Sequence, residues 1–70
     1  MVLVFKTSVQ KKSHALKLKP QLNHVVKKGR WNFDLEDHDK ILRVETESNC
    51  SSTVIRLLKN NGFECAELED

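Results

Sequence analysis

The sequence predicts an α+β domain: a four-stranded antiparallel sheet with two helices packed on one of its faces. Three observations predict it. Residues 31–47, WNFDLEDHDKILRVETE, hold two runs of period two joined by a charged turn. A stretch with helical spacing precedes that hairpin and another follows it. Short strand-like runs, VLVFKT and FECAEL, stand outside the two helical stretches.

Val2 to Thr7 reads as the first strand. Its run VLVF is apolar on both faces, which suits a central position in a sheet. Leu3, Phe5 and Thr7 are expected to face the core, with Val2, Val4 and Lys6 opposite. Ser8 to Lys12 is a polar connection.

Ser13 to about Lys28 reads as a helix. Ala15, Leu18, Leu22, Val25 and Val26 follow three- and four-residue spacing and form one apolar stripe. Ser13 or Ser8 is the candidate N-cap. Pro20 interrupts the pattern: inside a helix it removes one backbone bond and clashes with the preceding turn, so a kink is expected near Leu16. A shorter helix from Pro20, after an irregular run, is the alternative. Gly29 is expected to end the element.

In the hairpin, Trp31, Phe33 and Leu35 alternate with Asn32, Asp34 and Glu36. Leu42, Val44 and Thr46 then alternate with Arg43, Glu45 and Glu47. Such alternation marks half-buried antiparallel strands. Pairing Leu35 with Leu42 sets Phe33 opposite Val44 and Trp31 opposite Thr46. It leaves Asp37-His38-Asp39-Lys40 as a tight turn, of open type because there is no Asn-Gly pair. A slip of one residue would bury Asp34 and Glu36.

Ser48 to Ser52 is a loop rich in capping residues. Ser51 or Ser52 opens a second helix, TVIRLLKNN, with Val54, Ile55 and Leu58 on its stripe and Asn61-Gly62 as its stop. Phe63 to Leu68 is a short last strand that runs into the acidic tail Glu67 to Asp70. The order β-α-β-β-α-β with right-handed crossovers is the ferredoxin-like two-layer sandwich.

Seventy residues predict a single domain, 1–70, with a small core near the lower end of independent folding. No apolar run is long enough to cross a membrane, and MVLVFK lacks the layout of a signal peptide. A cytoplasmic location without a membrane partner is therefore expected. Cys50 and Cys65 do not make a disulfide framework. Charge is segregated: residues 1–30 hold eight basic and no acidic side chains, while residues 31–70 hold all ten acidic ones and four basic ones. The two halves carry +8 and −6.

With the elements in place, the chain resembles the heavy-metal-associated domains, the copper-chaperone-like family. The pieces that carry the resemblance are VLVFKTSV, FDLEDHDKILRV and IRLLKNNGFECAEL, the last with Gly62-Phe63 as a Gly-aromatic turn. It covers nearly the whole chain. The family's metal loop carries Met-x-Cys-x-x-Cys, two thiolates at a helix N-terminus that clamp a soft ion such as Cu(I). Matching Leu18 and Leu22 to the family's helix places the two cysteines at Lys11 and His14; matching Phe5 to its strand places them at Gln10 and Ser13. Neither alignment supplies a thiol, and Val9 takes the methionine's plugging place. Copper binding is not carried over, and no cofactor is expected.

The predicted topology brings the first loop, the hairpin turn and Gly62-Phe63 to one end. That end gathers His14, His38, Asp37 and Asp39, a donor set suited to Zn(II) or Ni(II), beside Lys11 and Lys12. The plainer reading is a set of turn residues that the lysines attract weakly across water. No local His or Cys ligand spacing supports the metal reading, which stands second.

Lys11, Lys12, Lys17, Lys19, Lys27 and Lys28, with Arg30, make the first helix and its flanks a candidate surface for an anionic partner. Nucleic acid is disfavoured: Asp34, Glu36, Glu45 and Glu47 on the exposed sheet face would repel phosphate where binders of this topology carry stacking aromatics. An acidic protein surface is the favoured partner, and a merely solvated helix face is the plain alternative.

Cys50 precedes a helix N-terminus, at the end away from the first loop and near His24, and is read as inert; Cys65 is read as a small core residue. Ser8 to Lys12 lacks the Arg and Gly of an acylphosphatase-like phosphate loop, and no nucleophile, base or Walker arrangement stands out. The expectation is a non-enzymatic interaction or regulatory module. Edge pairing by the hairpin's outer strand is disfavoured by its charges.

Overall fold

The sheet grows from its first strand outward. In a computed structural model that describes residues 1–36 and 38–68, β1 (Val2–Thr7) pairs antiparallel with β3 (Ile41–Glu45) on one side and β4 (Cys65–Leu68) on the other. β2 (Arg30–Asp34) pairs with β3, so the strand order is β2-β3-β1-β4. α1 (Lys12–Val25) and α2 (Ser51–Asn60) are the two crossovers. The arrangement is the α+β, ferredoxin-like one.

The apolar faces set the layers. Leu3 and Phe5 of β1, Leu42 and Val44 of β3, and Cys65 of β4 are buried. Leu18 and Leu22 of α1 and Val54, Leu57 and Leu58 of α2 are buried with them in one cluster. Val9, in the loop before α1, is fully buried and plugs that end of the core. Thr7 also points inward: its hydroxyl donates to the carbonyl of Lys40 (2.6 Å) and accepts from the Val9 N–H (3.2 Å). Among the described residues no helix is long and apolar enough to cross a membrane.

The hairpin register differs from the expected one by two residues. Phe33 lies opposite Leu42 and Trp31 opposite Val44, not Phe33 opposite Val44 and Trp31 opposite Thr46. A slip of two keeps every side chain on its face, so the apolar pattern does not discriminate between the registers. A two-residue turn centred on His38 and Asp39 would need positive φ without glycine. The chain instead uses a longer connection between Asp34 and Ile41, with Lys40 at φ 50 and its ammonium donating to the carbonyl of Leu35 (2.8 Å). Asp37 lies outside the described residues.

The helices also differ in detail. α1 starts at Lys12 after Lys11 as N-cap, and neither Ser8 nor Ser13 supplies a side-chain cap. Pro20 sits inside a continuous helix, so the shorter helix from Pro20 does not occur. The helix stops at Val25 instead of Lys28, with the Val26 N–H returning to Leu22 O. Gly29 therefore does not terminate it. A Cβ there would collide with the carbonyl oxygen of Glu45 and lie 2.9 Å from Val26 Cγ1, so glycine allows β2 to start tight against β3. In α2, Leu57 joins the stripe and Ile55 is only half-buried. The last strand starts at Cys65 instead of Phe63.

Candidate functional site

Three segments close the end of the molecule above Val9. The Thr7 N–H donates to Asp39 O (3.2 Å), and the Ser8 N–H donates to Glu64 O (3.1 Å). In return the Glu64 N–H donates to Ser8 Oγ (2.8 Å). The first loop, the 35–40 connection and the Gly62–Phe63 turn thus meet as expected. The rings of His14 and Phe63 lie 5.2 Å apart, tilted by 49°. His14 Nδ1 is buried and has no hydrogen-bond partner among the described residues.

The proposed donor set is only partly assembled there. His38 is exposed. Asp39 places Oδ1 3.7 Å from the ammonium of Lys6, an exposed pair of small energetic weight. Asp37 lies outside the described residues. Among the described residues, no three His, Cys, Asp or Glu side chains are grouped closely enough to hold a metal ion.

The basic residues fare differently. Lys11, Lys12, Lys17, Lys19, Lys27 and Lys28 are all exposed. None has an ion-pair partner among the described residues, where the one pair is Lys6 with Asp39. They do not form a single stripe. Lys12, Leu16, Lys19 and Asn23 recur at spacings of four and three, so they share one flank of α1. Lys17 lies about 200° around the helix from Lys19. Lys27 and Lys28 occupy the turn after the helix.

That flank of α1 forms one wall of an open groove of about 960 Å³, and β2 forms the other. Trp31, Phe33 and Leu35 line its floor and are only half-buried, although they point to the same side as the core. Leu16 on the helix wall is 60% exposed. The Trp31 indole N–H donates to Asn23 Oδ1 (2.8 Å), and its ring meets Phe33 edge-on at 6.0 Å. Lys12, Lys19 and Arg30 stand at the rim, and no acidic residue is among the described lining. Sequence reasoning placed Trp31, Phe33 and Leu35 on the inward face of the hairpin, where they lie, but missed the groove they leave open. The available signal was Leu16, an apolar residue outside the helix stripe and in step with Lys12 and Lys19.

Cys65 is buried on the last strand as expected, and Cys50 stands before the second helix. Cys50 is the N-cap residue of α2, half-buried and free; the Ser51 N–H beside it donates to Asn49 Oδ1 (2.9 Å). His24 lines a shallow groove between the helices with Thr53 and Arg56, and Cys50 is not part of that lining. Cys65 is buried and free. Burial pushes its thiol up to about 11, against a smaller opposing pull from Lys59.

No protein-family model matches the chain, and no curated protein matches it significantly.

Proposed function

We propose that this chain is a small cytoplasmic, non-enzymatic interaction domain, similar in layout to the heavy-metal-associated domains but without their thiol clamp. It docks an acidic protein surface through Lys11, Lys12, Lys17, Lys19, Lys27 and Lys28. One observation carries the reading: all six lysines are exposed without an ion-pair partner among the described residues. Unpaired like charges gathered on one helix and its flanks raise the local potential and steer an oppositely charged partner into contact. The exposed carboxylates of Asp34 and Glu45 lie on the outer face of the sheet, so they do not neutralise the helical layer. They also oppose phosphate, which favours a protein over a nucleic acid.

The test is capture of partners on immobilised domain, followed by affinity measurement with the purified partner. Lys12→Glu, Lys17→Glu and Lys19→Glu together are expected to abolish binding, and added salt to weaken it in the wild type. Binding that is indifferent to these changes removes the electrostatic reading. Salt-dependent binding to DNA or RNA, lost in the same variant, replaces the protein partner with nucleic acid.

The unpartnered Nδ1 of His14 supports a second reading, a metal-ion site formed by His14 with His38, Asp37 and Asp39. Titration of the reduced protein with Zn(II) and Ni(II), followed by amide NMR, tests it. Micromolar binding confined to residues 8–14 and 37–39 establishes the metal site, and unmoved resonances there remove it.

A further inference from the structure

β2 is an outermost strand of the sheet, with β3 on one side and no described strand on the other. Exposed edges are templates for pairing, and charges normally protect them. In β2 the charges are ordered so that one register is not protected. The strand reads Arg30-Trp31-Asn32-Phe33-Asp34, with a positive end, a negative end and an amide midway.

We propose that β2 pairs antiparallel with β2 of a second copy of this chain, about a twofold axis through Asn32. The two four-stranded sheets then join into one of eight strands.

The register follows from the residues. With Asn32 on the axis, Arg30 stands opposite Asp34 of the second copy, on the outer face of the sheet. Trp31 stands opposite Phe33 of the second copy, on the helix side. Continued past the strand ends, the same register sets Lys28 opposite Glu36 and Gly29 opposite Leu35. Directly opposed unlike charges and aromatic pairs stabilise a strand pair, whereas like charges oppose pairing. Moving the axis by one residue either way sets Asn32 opposite Asp34 with Arg30 opposite Glu36, or Arg30 opposite Asn32 with Lys28 opposite Asp34, so each shifted register keeps one kind of opposite-charge pair where the register on Asn32 makes two. A twofold axis on a residue also keeps both helix layers on one side of the joined sheet, because opposed residues then share a face.

The groove supplies the apolar part of the interface. Trp31, Phe33 and Leu35 are half-buried because no described strand lies beyond β2, and Leu16 faces the same space. In the pair, the aromatic floors of the two grooves become continuous beneath the two α1 helices. Lys12 and Lys19 at the rim keep their ammonium groups in water while their stems cover apolar surface. Their mutual repulsion across the seam, with a five-residue strand, makes this a reversible, concentration-dependent association and not an obligate dimer. The inference goes beyond the interaction reading and does not depend on it. Pairing would set two basic α1 helices side by side on one face, but the dimer stands or falls without an acidic partner.

Sedimentation equilibrium on the full chain from micromolar to millimolar concentration tests it. The wild type is expected to dimerise with concentration. Arg30→Asp alone sets acid opposite acid, and Asp34→Arg alone sets base opposite base, so each is expected to be monomeric. An equimolar mixture of the two restores both opposite-charge pairs and is expected to dimerise. Both positions are exposed, and an unchanged core pattern in amide NMR spectra establishes that each variant is folded. A wild type that stays monomeric overturns the proposal, as does a dimer that ignores both substitutions or single variants that the mixture fails to rescue. If poly-L-glutamate shifts the Trp31 and Phe33 resonances of a monomeric wild type, the groove takes an acidic chain instead of a second copy.

Discussion

The imidazole of His14 lies against the ring of Phe63, with centroids 5.2 Å apart, and its Nδ1 is buried without a partner among the described residues. The contact ties the first turn of α1 to the turn before β4.

His14→Phe keeps the ring contact and removes a buried unpaired nitrogen. The expected outcome in chemical denaturation is a stability equal to the wild type or higher by about 1 kcal/mol. His14→Ala, which loses the ring, is expected to be less stable than either. A clear loss in His14→Phe would show that Nδ1 has a partner in solution, which returns the metal reading to the front.

Pro20 occupies an exposed interior position of α1, where its ring denies Leu16 O a hydrogen bond. Pro20→Ala is expected to stabilise the domain by about 1–3 kcal/mol, read from the urea midpoint at unchanged slope. An unchanged midpoint would mean that the helix has already relaxed around the proline.

The two glycines separate two kinds of requirement. Gly29→Ala drives a Cβ into the backbone of Glu45 and is expected to cost about 2–3 kcal/mol, with the β2–β3 amides losing exchange protection. Gly62 has φ 87 and open space around its Cβ position, so Gly62→Ala is expected to cost only about 1 kcal/mol, through backbone conformation alone. Equal costs would contradict the close approach at Gly29.

The Cys65 thiol is raised from 9.0 to about 11 in the folded protein, chiefly by burial. Folding therefore favours its protonated form. That contribution is fully present below pH 9, where the thiol is protonated in both states, and is lost as pH rises from 9 through about 11, where the unfolded chain ionises first. Cys65→Ala is expected to flatten the fall in stability over that window. At neutral pH, iodoacetamide is expected to label half-buried Cys50 in the native protein and Cys65 only on unfolding.

Much of the architecture is legible in side-chain period. The run VLVFKT, the two alternating runs and the two helical stripes specify element order and the inward face of each strand, because burial rewards one periodicity at a time. Leu3, Phe5 and Thr7 point inward and Cys65 is buried, all as read from the chain. The meeting of the first loop with Gly62-Phe63 follows from the topology alone. The lysines were legible as an exposed set, since unpaired lysines do not enter cores.

Tertiary structure decided what period cannot. The hairpin register lies two residues from the expected one because even slips keep the faces, and in it Lys40 donates to Leu35 O and its carbonyl accepts from the Thr7 hydroxyl. Whether an inward-facing residue is covered depends on what lies beyond its strand. Trp31 and Leu42 share the same alternating pattern, yet Leu42 is fully buried between neighbouring strands and Trp31, at the sheet's edge, is half-open. Gly29, read along the chain as a helix stop, is a point of backbone contact with Glu45 that becomes visible only once β2 lies beside β3. Sequence alone settled the order of elements and the sides they present; the third dimension settled register, edge and groove, because those depend on neighbours distant along the chain.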